Sequence, residues 1–198
     1  IYNNVIKGLS RHDLSELKKN KKQISKLSSE VDNLKDKLFY FIKNLDESSL
    51  GASNFYINLL GYLQDITQSI EYISKVSHKH INNNHSKLTL NQIRDLLDIQ
   101  KVIFEVFEII NSAFSNKSFG DIKSILKDRN KTVGILEDKI EAQISRTRTA
   151  EEKSPKNAAL YFSILQESKD LMKEVMNLIE EYYVSYDKSV KPAKPKDE

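Results

Sequence analysis

Cysteine and tryptophan are absent from this 198-residue chain, and only five glycines and three prolines punctuate it. Without cysteine there is no disulfide, no thiolate metal site and no cysteine nucleophile, which fits a reducing cytosol. So few turn-forming residues leave little material for a many-stranded β architecture. No run of about 18 apolar residues occurs, so nothing reads as a membrane-spanning helix. The greasiest stretches, FYINLLGYL (55–63) and VIFEVFEII (102–110), are too short, and the second carries Glu105 and Glu108. No signal peptide is visible. Nor is there a GxGxxG, a P-loop, a GxSxG or an HExxH. With no nucleophile placed beside a base, the sequence reads as non-enzymatic.

What is present is amphipathic helix. Hydrophobic residues make up 39% and charged residues 30%, lean for a compact globule but ordinary for a bundle of long helices. The net charge of +3 is unevenly spread. Residues 1–27 carry Lys7, Arg11, Lys18, Lys19, Lys21, Lys22 and Lys26 against Asp13 and Glu16, a local +5, so the remainder sums to −2. A basic start on a near-neutral body suits a segment leaving the inner face of a membrane, or simply a solvated helix face. The lysine run lacks interleaved aromatics and arginines, so nucleic acid is not an expected partner. Because the chain opens on Ile1, we expect residues 1–9 to be a connection from an upstream part. Residues 10–188 should form the bundle, and the Lys/Pro tail 189–198 has nothing to bury and should be disordered.

The periodicity predicts five long helices. The first runs from about Ser10 to Leu45, with Leu17, Ile24, Leu27, Val31, Leu34, Leu38, Phe41 and Leu45 forming a heptad seam interrupted by Asn20. DESSLGAS (46–53) breaks it. The second spans about Asn54 to Ile81, with a stripe through Phe55, Leu59, Leu63, Ile66, Ile70 and Ile73, and NNNHSK (82–87) stops it. Thr89 with Gln92 reads as a capping box opening the third. Ser118 and Asp121 can cap the fourth, which buries Ile122, Ile125, Val133, Leu136 and Ile140. Ser154 followed by Pro155 starts the fifth, Ser as N-cap and Pro where a missing N–H costs nothing. The expected architecture is an all-α, elongated antiparallel bundle.

Three constellations are candidates for binding. His78, His80 and His85 cluster near the end of the second helix, but His78 and His80 point about 200° apart, so a polar helix end is the better reading than a metal site. Asp65 and Glu71 on the second helix, and Glu167 and Asp170 on the fifth, lie close to apolar stripes. Acids three apart share a helical face and can grip a cation, or be solvated and pair with Lys169 and Lys173. In RTRTAEEKSPKN (146–157), Arg146 and Arg148 close one helix while Ser154, Lys156 and Asn157 open the next. Free N–H groups at a helix start suit an anion or an acidic partner; the plainer reading is a capped loop. We expect no cofactor and no bound metal.

QSIEYISKVSHKHINNNHSKLTLNQIRDL (68–96) and RTRTAEEKSPKNAALYFSILQESKDLMKEVMNLIEEY (146–182) resemble the C-terminal soluble region of bacterial inorganic phosphate transporters. These are the PiT-type and sodium/phosphate cotransporter proteins of Bacteroides-like bacteria, whose cytoplasmic extension is PhoU-like. The resemblance covers roughly residues 10–188. It implies a PhoU-like bundle on the cytoplasmic side of a permease in the inner membrane, regulating or stabilising phosphate transport, with the membrane-spanning part and a twin subunit as partners. The family's acidic motif places an Asp four residues after a first acid. Asp65 and Glu167 match the first acids, but Ser69 and Leu171 stand where the second belongs, so the family's metal clusters are not carried over. The alternative is a general coiled-coil adaptor that self-associates through residues 24–45.

Overall fold

The computed structural model describes residues 1–116, 120–149 and 153–187. These form seven α-helices and one 3-10 turn, with no β-strand among them. The helices are α1 (Tyr2–Arg11), α2 (Leu14–Lys43), α3 (Ser53–Asn82), α4 (Leu90–Asn116), α5 (Gly120–Lys127), α6 (Arg129–Arg148) and α7 (Pro155–Asp187); the 3-10 turn is Glu47–Ala52. The all-α expectation holds, but a separate helix, α1, precedes the first predicted one, which starts at Leu14 and not at Ser10, and the fourth predicted helix is broken in two. Ser118 and the tail 189–198 lie outside the described residues.

The first break falls at His12, which adopts a left-handed φ of 56°. Its N–H reaches the Leu9 carbonyl at 3.0 Å and the Asp13 N–H reaches the Gly8 carbonyl at 2.8 Å, the paired bonds of a Schellman ending. Asp13 then caps α2, its carboxylate accepting from the Glu16 N–H at 3.0 Å. The N-terminal residues are therefore part of the bundle and not only a connection. Tyr2, Val5, Ile6 and Leu9 are buried on one face of α1, the i, i+3, i+4, i+7 spacing that a packed helix requires. Gly8 permits the tight hairpin between α1 and α2, since a Cβ there would stand 3.0 Å from Leu17 Cδ2.

The second break falls at Asp128, between α5 and α6. KDRNKT (127–132) offers no large apolar side chain for nearly two turns, so nothing holds the helix to one course there. Arg129 fastens the restart to α7, donating to Glu180 Oε2 at 2.9 Å and Asn177 Oδ1 at 2.7 Å.

Two capping signals appear as read. The Thr89 N–H donates to Gln92 Oε1 at 3.0 Å and the Gln92 N–H to Thr89 Oγ1 at 3.3 Å. The Asn157 N–H donates to Ser154 Oγ at 3.2 Å. Asn157 goes further, its Nδ2 donating to the Lys87 carbonyl at 2.8 Å and its Oδ1 accepting from Ser86 at 3.3 Å. That knot ties the α3–α4 turn to the start of α7.

Helices α3 and α7 pack side by side at the centre. They run antiparallel, since Phe55 meets Tyr182 at one end while Ser86 and Lys87 meet Asn157 at the other. α7 buries Leu160, Tyr161, Ile164, Leu165, Leu171, Met172, Val175, Met176 and Ile179. The buried positions of α3 alternate Ile70 and Ile73 with Thr67, Ser69, Ser74 and Ser77. Small side chains there let the helices approach closely. α4 and α7 run parallel, because Asp95 reaches Tyr161 near their starts and Phe114 meets Tyr182 near their ends. Thirty-residue helices such as α2 and α3 are about 45 Å long. The seam of α2 is buried at Leu17, Asn20, Ile24 and Val31, and Leu45 just past the helix is buried too, but Leu34 between them is 47% exposed.

Candidate functional site

The densest polar cluster sits where α4, α6 and α7 meet, around the Asp95 carboxylate. Oδ1 accepts from Lys139 Nζ; Oδ2 accepts from Arg146 Nη2 at 2.9 Å and from the Tyr161 hydroxyl at 2.9 Å. Burial pushes the Asp95 carboxyl up, but hydrogen bonds from Lys139, Arg146 and Tyr161 outweigh it and hold the group below its ordinary range. Burial and then Asp95 itself push the Tyr161 hydroxyl up. Burial opposes the charge on Arg146, yet Asp95 more than compensates and raises its pKa. Its guanidinium carbon lies 5.8 Å from the Tyr161 ring centroid, within cation–π range. Arg146 Nε donates to Gln143 Oε1 at 3.1 Å, and Asp98 stands 3.6 Å from Lys139. Lys139, Arg146 and Tyr161 all direct donors at the Asp95 carboxylate, while the buried Gln143 Nε2 beside them has no partner among the described residues. The cluster locks three helices together and presents no free base or nucleophile.

Arg146 is thus engaged in the core-side clamp and not at the loop. Arg148, exposed on the last turn of α6, lines a shallow hollow of about 340 Å3 with Glu141 and Ser145. Ser154 Oγ serves as the α7 cap, and Lys156 is exposed one position past Pro155. Asp65 and Glu71 are exposed on α3, six residues apart. Asp170 accepts from Gln166 Nε2 at 3.2 and 3.3 Å. Lys169 pairs with Glu137 of α6 at 3.8 Å. Among the described residues no three His, Asp or Glu side chains gather in a way that would hold a metal ion, and no helix is long and apolar enough to cross a membrane.

The histidines divide. His80 is buried, its Nε2 donating to the Ser86 carbonyl at 2.9 Å, with the His85 ring 5.1 Å away. Burial, chiefly, lowers its pKa; the Ser86 bond opposes this, and His85 and His12 reinforce it. His78 instead lines a groove of about 420 Å3 between α2 and α3, together with Glu71, Lys21, Lys75 and Lys79.

The far end of the bundle is apolar and open. Phe41 meets Tyr56, Tyr56 meets Phe55, Phe55 meets Tyr182 and Tyr182 meets Phe114, with ring centroids between 4.8 and 6.3 Å apart. Phe39 and Tyr40, next to Phe41 in sequence, meet each other edge to face at 5.6 Å and are 67% and 63% exposed, and Ile57, next to Tyr56, is 50% exposed.

Sequence reasoning found Arg146 but missed Asp95, Lys139 and Tyr161. No sequence signal singled out Asp95: it stands three residues after Gln92 in NQIRDLLDI, on one face of α4, but only the structure shows that face to be buried. The chain matches no family model, no curated protein and no solved structure.

Proposed function

We propose that this chain is a non-catalytic helical docking domain, and that its partner is the membrane part of an inorganic phosphate transporter, whose activity it regulates or stabilises from the cytoplasmic side. The docking half of the reading is supported by the exposed Phe39–Tyr40 ring pair and exposed Ile57, which adjoin in sequence the packed rings of Phe41 and Tyr56. Monomeric proteins seldom leave large apolar side chains clustered without a partner. The phosphate half rests on the resemblance of residues 68–96 and 146–182 to the PhoU-like extension of such transporters. The basic first turns of α2 agree with a position close to an anionic membrane face.

Deleting residues 10–188 from the encoded protein tests this. Phosphate uptake, or its response to phosphate supply, should change; uptake identical to the parent strain under both rich and poor phosphate would end the transporter reading. Replacing Phe39 and Tyr40 by Ser should give the same phenotype with a fold as stable as the parent's.

A second reading, self-association through α2, is favoured by the exposure of Leu34 on the predicted seam. Light scattering would then report a dimer that Leu34→Asp converts to monomer.

A further inference from the structure

The groove between α2 and α3 has a chemical character that the docking surface does not explain. On α3, Glu71, Ser74, Lys75 and His78 recur at i, i+3, i+4 and i+7, one helical face, and Lys79 adjoins it; on α2, Lys21 and Ser25 supply the opposite wall. Ser74 is buried, so it belongs to the floor and not to the rim. Three ammonium groups and one carboxylate give the walls a formal charge of +2. Glu71 precedes Lys75 by four residues, the favourable order for a helical ion pair, yet neither Lys21, Lys75 nor Lys79 forms an ion pair with another described residue. The seam is polar at the same level: Asn20 and Ser77, both buried, carry a side-chain nitrogen and a hydroxyl without a protein partner. Lys18, Lys19 and Lys22, exposed on the same stretch of α2, add positive charge near the mouth, whereas Lys26 pairs with Glu30 at 3.7 Å.

We propose that this groove binds a phosphate-bearing polyanion of at least two negative charges. Lysine is a mobile point charge with three donors, suited to phosphate oxygens whose direction is not fixed in advance. The volume of about 420 Å3 falls in the range that takes a small molecule or a headgroup, about 300–1,000 Å3. A bound dianion relieves the repulsion among the lysines, and Ser25, Ser74 and His78 add further hydrogen-bonding groups. The same chemistry arises from a free phosphorylated metabolite or from a lipid headgroup. The site does not depend on the transporter reading.

The test uses the whole chain at moderate salt, with pyrophosphate in titration calorimetry and vesicles containing cardiolipin, whose headgroup carries two phosphates, in flotation, phosphatidylcholine vesicles serving as blank. Variants are Lys75→Gln/Lys79→Gln on one wall, Lys21→Gln on the other, and Lys123→Gln/Lys127→Gln on distant α5 as control. The groove variants should bind at least ten-fold more weakly while the control binds like the parent, all four melting together because every substituted lysine is exposed. Heat with pyrophosphate assigns a free ligand; flotation alone assigns a headgroup. No binding to either probe, or equal weakening in the control, overturns the proposal.

Discussion

The Tyr2 hydroxyl lies 2.8 Å from Ser168 Oγ, across 166 residues of sequence, and both side chains are buried. The first turn of the described chain is thereby fastened to the middle of its central helix. Burial pushes the Tyr2 hydroxyl well above the ordinary tyrosine range, with the Ser168 hydrogen bond opposing it, so the phenol stays neutral and one of the two hydroxyls donates to the other.

Tyr2→Phe should cost about 1–2 kcal/mol, because it strands the buried Ser168 hydroxyl without a partner. Adding Ser168→Ala should recover part of that loss, since no polar group is then left unpaired. Urea unfolding of both single variants and the double variant gives the coupling; strictly additive losses would mean that the bond contributes nothing.

Asp95→Asn should be far more costly. It leaves the partly buried Lys139 and Arg146 without their anion, a loss of about 2–4 kcal/mol for a clamp that retains some solvent. Lys139→Met should cost less, because Arg146 and Tyr161 still satisfy the carboxylate. If the two variants unfold at the same denaturant concentration, the three-way bonding to Asp95 is not what holds α4, α6 and α7.

Stability should fall with pH in two acid steps. His80 has a folded pKa lowered by burial from an ordinary 6.5, so the unfolded chain takes up its proton first, and stability is lost as pH falls below about 6.5. Asp95 is lowered by its three donors from an ordinary 3.8; its contribution is intact above that value and lost as pH falls toward the depressed one. His80→Gln should erase the first step and leave the second. On the alkaline side Tyr2 and Tyr161 are raised from 10.0, so stability should fall above about pH 10. Both should ionise only as the fold opens, which stopped-flow tyrosinate absorbance after a pH jump would register as a slow phase.

His12→Gly should stabilise the protein by about 0.5–1 kcal/mol, because a left-handed residue with a Cβ is strained where glycine is not. The change also removes one imidazole near His80 and so shallows the first acid step. Thermal melts at neutral and mildly acid pH test both effects, and a lower midpoint at both would contradict them.

Helical content, the Thr89–Gln92 box and the Ser154–Pro155 start were readable because each is decided within a turn or two of chain. The α1 core face is equally legible in the spacing of Tyr2, Val5, Ile6 and Leu9. The break at His12 left only a weak trace, since Schellman endings are normally marked by glycine and here the left-handed residue is histidine. Asp95 was invisible for a different reason. An acid on a helix face has the same sequence signature whether water or a pair of cations meets it, and its partners Lys139, Arg146 and Tyr161 come 44, 51 and 66 residues later.

By itself the sequence determined that this chain is helical, where most of its helices begin and end, and which side of each is apolar, because 3.6-residue periodicity and capping chemistry are local. Only the tertiary structure decided which helices lie side by side. That choice made a clamp of Asp95 and Arg146, set three lysines around one groove, and left Leu34, Phe39 and Tyr40 in water. Periodicity names the face that must be covered; the packing of long helices against one another selects what covers it.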